Sequence, residues 1–158
     1  MKRLAMPAIA LAVGALVFAA VNATAKDTGK RDNASIHVVE HATTDAVTNG
    51  SAADAAGNVL TFANDVFDSK DAKKVGSDQG YCIRIVVGKT WECNWTTFLA
   101  DGQITVEGPF SDTGNTTLAI TGGTGKYRNA RGSMDLNYHN PAGTKFDFVF
   151  HLIGGGGD

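Results

Sequence analysis

After Ala34 the chain alternates. In "KFDFVFHL", Lys145 to Leu152, the residues Phe146, Phe148, Phe150 and Leu152 fall on one face, and Asp147 and His151 fall on the other. A period of two belongs to a strand with one buried face, whereas a helix would repeat near 3.6. "IHVVEHAT" sets Ile36, Val38, Glu40 and Ala42 together, and "NVLTFANDVF" does the same for Leu60, Phe62, Asn64 and Val66. "YCIRIVV", "WECNWTTFL", "QITVEG", "TLAIT" and "SMDLNYH" complete a set of eight runs, and no stretch after Ala34 carries a helical period. Asp101–Gly102, Thr113–Asn115 and Asn140–Gly143 supply turn chemistry between them. Eight short strands on short connections predict an all-β fold, an eight-stranded antiparallel β-barrel, with a sandwich as the other arrangement. Eight strands close around a space just wide enough for side chains or one small ligand. The longest interruption, Thr43 to Gly57, is small and polar and is expected at a barrel mouth.

The first residues read as an address rather than as fold. Lys2 and Arg3 precede the apolar run "AIALAVGALVFAAV", and Ala23, Thr24 and Ala25 offer small residues for cleavage. The run is shorter than the roughly 20 residues a membrane-spanning helix needs, so no stable membrane insertion is expected. The chain therefore divides into a signal peptide (1–25), a polar flexible arm (26–34), one barrel domain (35–153) and a disordered glycine tail (154–158). Export to the periplasm or beyond gives Cys82 and Cys93 an oxidising compartment in which a disulfide persists. They lie equally far from Val87–Gly88 in "CIRIVVGKTWEC", so a hairpin turning there makes them cross-strand partners.

"LAITGGTGKYRNARG" suggests a phosphate cradle at first sight, and counting removes the suggestion. A P-loop needs glycine five positions before Gly125, where Ile120 stands, and Ser or Thr after Lys126, where Tyr127 stands. A dinucleotide fingerprint would require glycine at Arg128. The glycines are expected to turn the chain tightly at a barrel end. With 14 basic against 16 acidic residues, two of the basic ones in the signal, the exported chain is mildly acidic, which argues against a nucleic-acid partner. Two cysteines and four histidines without metal-ligand spacing predict no metal site. No Gly-x-Ser-x-Gly elbow anchors a hydrolase triad.

Glu40 and Asn64 interrupt otherwise apolar faces. A carboxylate turned toward an apolar interior is costly unless paired or protonated. Arg84 shares the strand face of Cys82 and is an available counter-charge for Glu40. A buried Glu–Arg pair without chemistry is the alternative to a functional site.

With the strands placed, "QITVEGPFSDTGNTTLAITGGTGKYRNARGSMDL" resembles the corresponding region of plant allene oxide cyclases, and "GGTGKYRNARG" is also similar to the dirigent proteins that share that barrel. "GNVLTFANDVF" and "GYCIRI" are similar to two further cyclase segments, in the same order. The resemblance runs from about Ile36 to Leu152. It implies a barrel with an apolar cavity, assembly as a homotrimer, no cofactor, and a small apolar or phenolic ligand. Allene oxide cyclases isomerise a fatty-acid epoxide to a cyclopentenone. Their pattern carries a carboxylate onto Glu40, an asparagine onto Asn64 and a cysteine onto Cys82 as catalytic residues. A second family asparagine is matched here by Ala42, and the aspartate that commonly follows "GGTG" in dirigent proteins is matched by Lys126. Phe62, Arg84, Arg131, Tyr138 and Phe148 are expected to contact the ligand. The function implied is a cofactor-free isomerase or cyclase. The alternatives are a dirigent-like module that orients a reactive ligand and a structural barrel with a filled core.

Overall fold

A computed structural model describes residues 34–153. The expected signal peptide, nearly all of the arm and the glycine tail lie outside the described residues. Nine strands follow in order: β1 (Ala34–His41), β2 (Ala46–Asn49), β3 (Val59–Asp68), β4 (Lys74–Val86), β5 (Thr90–Leu99), β6 (Gly102–Ser111), β7 (Thr116–Gly123), β8 (Gly132–Tyr138) and β9 (Lys145–Leu152). Neighbours pair antiparallel from β3 to β9, β9 pairs with β1, and β1 returns to β3, closing an eight-stranded barrel. The ninth strand, β2, lies within the stretch read as a plain interruption. It escapes periodicity because all four of its residues are exposed.

β9 shows why alternation fixes this fold. Phe146, Phe148, Phe150 and Leu152 are buried inside the barrel, while Asp147 accepts from His37 and His139 on the outside. Val38, Val66, Trp95, Ile104, Val106, Leu118, Ile120, Met134 and Leu136 fill the same core from six other strands. Each such side chain contributes about 1.5–3 kcal/mol by leaving water. Gly80 stands opposite Trp95, where a Cβ would lie 2.3 Å from that of the tryptophan, so its missing side chain admits the indole. At the far end, Gly125 has φ +58° and opens a single 3₁₀ turn over Gly125–Tyr127. The glycine motif is a turn, as its spacing required.

The wall is irregular in one place. β1 covers β3 from Asp65 to Asp68, and β2 covers it from Val59 to Thr61. Between them the edge of β3 would be bare at Ala63. The Thr44 hydroxyl fills the gap, accepting from Ala63 N at 2.7 Å and donating to Ala63 O at 3.1 Å. This replaces two ladder hydrogen bonds that a continuous strand would have made. The candidate site residues Glu40 and Asn64 gather at this break.

Candidate functional site

Glu40 on β1, Asn64 on β3 and Asp78 on β4 face inward at 5%, 1% and 2% exposure. Asn64 and Asp78 are cross-strand partners, and Glu40 lies opposite Val66. The chain that leaves β1 bends past Asn64 and brings its backbone within reach. Asn64 Oδ1 accepts from the backbone N–H groups of Thr43 and Thr44, each at 3.0 Å. Its amide nitrogen donates to Glu40 Oε1 and to Asp45 Oδ1, both at 2.8 Å. Its own backbone N–H donates to Asp78 Oδ1 at 3.3 Å. One side-chain amide thus seals the wall with its oxygen and holds two carboxyls with its nitrogen.

The electrostatics follow from what is missing. Among the described residues, no cation pairs with Glu40, Asp45 or Asp78. Burial is the largest cause holding the Glu40 carboxyl well above the usual range. The neighbouring charge of Asp78 adds to it, the Asn64 hydrogen bond opposes it, and Asp45 adds again. Asp78 is pushed up to about 7, again chiefly by burial. Burial thus favours the neutral form of Glu40 in this apolar interior. A protonated carboxyl held in such a setting can donate a hydrogen bond or a proton to a ligand oxygen.

Glu40 borders a partly enclosed pocket of about 60 Å³ at the barrel end where β2 and the strap before β3 lie. Phe62, Trp95, Phe146 and Phe148 supply its aromatic wall, with Asp45 at the rim. Trp95 lies edge-on to Phe62, with ring centroids 6.1 Å apart, and 5.3 Å from Phe148. An engineered void of roughly 150 Å³ is the size that admits benzene, so in this conformation the pocket holds no more than a small fragment.

The other expected residues separate. Phe62 and Phe148 line the pocket. Cys82 also lines it, but as half of a disulfide with Cys93, its cross-strand partner, at a Cα–Cα distance of 4.0 Å. No thiol is then available for chemistry there. Arg84 does not counter Glu40. Its guanidinium reaches Asp54 and Asp112, each at 2.7 Å, and lies 3.9 Å from the Trp91 ring centroid. That corrects the expected Glu40–Arg84 pair: the mouth loops supply nearer carboxylates. Tyr138 stands outside the pocket, its hydroxyl donating to Ser111 O at 2.9 Å and its ring 5.0 Å from that of Phe146. Arg131 sits at the opposite end of the barrel, exposed, and donates to Ala130 O. β8, which begins at the next residue, reaches the pocket only at Leu136.

Asp78 and Asp45 were not among the expected residues. Asp78 carried a readable signal, because extending the inward parity of Cys82 and Arg84 backward passes through Gly80 to Asp78. Asp45 carried none, since it lies in the bend between strands.

A closed antiparallel barrel with an acid in one polar wall of an apolar interior defines the class. Residues 36–149 match the family described as the allene oxide cyclase barrel like domain, and the chain belongs to that family. Solved structures share the fold at low identity. A pyocyanin demethylase is 24% identical, covers 74% of this chain and 100% of its own, and superposes with a TM-score of 0.59. The pterocarpan synthase dirigent protein GePTS1 is 19% identical, over 83% of this chain and 90% of its own, with a TM-score of 0.64. The Diels-Alderase AbmU from Streptomyces koyangensis is 16% identical, over 82% of this chain and 72% of its own, with a TM-score of 0.58.

Proposed function

We propose that this chain is an exported, cofactor-free isomerase or cyclase acting on a small apolar or phenolic molecule, with Glu40 as its neutral acid. The observation that carries the reading is Glu40 itself. It is buried at the edge of an aromatic pocket, oriented by Asn64, and has no cation beside it among the described residues. A structural ion pair would have brought a cation to it, and a filled core would have had no reason to retain an acid there. Asn64 fixes the carboxyl while Phe62, Trp95 and Phe148 exclude water, so a ligand oxygen at the pocket wall would meet a pre-oriented donor. The size of the pocket requires the ligand to displace an aromatic ring or the mouth loops on entry.

A second reading, an orienting module without turnover, is favoured by the bonded state of Cys82 and by Ala42, which removes one amide from the expected set. The Cys82–Cys93 bond is compatible with an extracellular location. A homotrimer is part of the proposal and is tested by light scattering. The deciding experiment screens apolar phenols and fatty-acid epoxides against the full chain and its Glu40→Gln variant. Turnover lost in the variant with binding retained supports the acid. Equal binding without turnover in both supports the orienting module, and no binding in either supports a filled barrel.

A further inference from the structure

Asp78 has no role in the proposed reaction so far, and its position demands one. Asp78 Oδ1 takes the backbone N–H of Asn64. Asp78 Oδ2 is fully buried and receives no hydrogen bond. Such an oxygen, if ionised, is costly to leave unpaired. Glu40 is held to the same asparagine from the other side.

The surrounding charges offer no relief. From the bend between β1 and β2, Asp45 adds a third carboxyl to the amide of Asn64. From β3, Asp65 is turned outward and bound to Lys74 at 2.6 Å. His41 and Lys145 lie on the outer face and are held by Asp71. Arg84, six residues along β4, is engaged with Asp54 and Asp112. Across from Asp78, β5 presents Thr97, and across from Glu40, β9 presents Phe146. Two buried carboxyls on the strands that flank β3, with no cation beside them among the described residues, cannot both ionise, and the charge each would carry is relieved only by a proton.

We propose that Asp78 is a positioning residue that keeps the proton on Glu40, the two carboxyls acting as one acid pair whose shared proton leaves Glu40 an acid rather than a base. Burial alone already favours the neutral forms. The pair adds direction: Asp78, the more readily ionised member, accepts from the Glu40 hydroxyl, and its orphaned oxygen is thereby satisfied. Asp45 is exposed and hydrated, so its influence on Glu40 is the smaller one.

This inference rests on the proposed role of Glu40 but is tested without a substrate. Carbon-13 NMR of side-chain carboxyls in the full chain follows the Glu40 and Asp78 titrations directly. In the native protein Glu40 should stay neutral through pH 7. In Asp78→Asn, which preserves shape and an acceptor for Asn64, the Glu40 midpoint should fall by about one pH unit or more. In Glu40→Leu, which removes the hydroxyl that Asp78 accepts from, the Asp78 midpoint should rise, which gives a second route should Asp78→Asn not fold. Asp45→Asn should shift Glu40 less. Glu40 ionised at pH 7 in the native chain, an unmoved midpoint in the variant, or an Asp45 effect equal to that of Asp78 would each overturn the proposal. Intact coupling in a protein that binds no ligand would retain the pair and remove only the proposed function.

Discussion

The barrel has two unlike walls. β8 and β9 present Met134, Leu136, Phe146, Phe148, Phe150 and Leu152 inward without a polar interruption. Adjoining them through the β1–β9 pairing, β1, β3 and β4 present Glu40, Asn64 and Asp78. The first wall is held by burial alone and has no preference for pH. The second is held by one asparagine and its proton count, and it is the wall that breaks between β1 and β2. The apolar packing and the candidate site thus occupy adjoining parts of one closed sheet.

That contrast can be attacked first on the apolar side. Phe150→Ala should cost about 3–5 kcal/mol in denaturant titration, because the ring is fully buried and the interior closes only in part around the void. Glu40→Gln should cost far less than that, since it exchanges one neutral hydrogen-bonding group for another. A loss as large as that of Phe150→Ala would abolish the distinction between the walls.

The pH dependence sharpens it from the polar side. A carboxyl whose folded value is raised binds more protons when folded. Its contribution is therefore complete below its unfolded value and is lost as pH rises through the folded value. For Asp78 the window runs from 3.8 to about 7. At about 1.4 kcal/mol per unit, the chain should lose on the order of 4 kcal/mol of stability across it. Asp71 and Asp135, lowered chiefly by hydrogen bonds from Lys145 and His151 respectively, act in the opposite direction and only at more acid pH. Thermal unfolding across this range should decline in the native protein and decline less steeply in Asp78→Asn, where buried Glu40 still contributes, while Phe150→Ala should decline in parallel with the native curve.

Smaller effects belong to the mouth and the hinge of the polar wall. Arg84→Ala should cost about 2 kcal/mol, below the 3–5 of a fully buried pair, because Asp54 and Asp112 retain water when their partner is lost. Replacing Cys82 and Cys93 together with serine should cost about 2 kcal/mol, at the low end for a disulfide, since β4 and β5 already pair through that position. Denaturant midpoints measured under oxidising conditions check both.

The two walls also differ in how much of them the sequence disclosed. β9 was legible to the residue, because its alternation is set by burial and by nothing else. Glu40 and Asn64 were legible as exceptions to such alternation. The partner of Glu40 was misread, since strand parity places Arg84 inward without saying how far along the barrel axis its guanidinium reaches. Asp54 and Asp112 lie nearer, on loops whose path no period encodes. β2 and Asp45 were hidden for the same reason: an exposed four-residue strand and a bend have no buried face to leave a pattern. Arg131 shows a further limit, because a motif match gives a place in the chain and not an end of the barrel.

The break beside Thr44 has a consequence for how such a protein can change. Barrel closure runs through β1 and β3 at Asp65–Asp68, and the segment from Ala42 to Asn58 hangs beyond that seam with most of its residues exposed. Away from Thr44 and the buried Asn58 its length and composition can therefore drift without opening the barrel, and Asp45 carries a change to the pocket rim. Under the proposed function, a descendant could exchange one ligand for another by rewriting that strap around an unchanged Glu40 and Asn64.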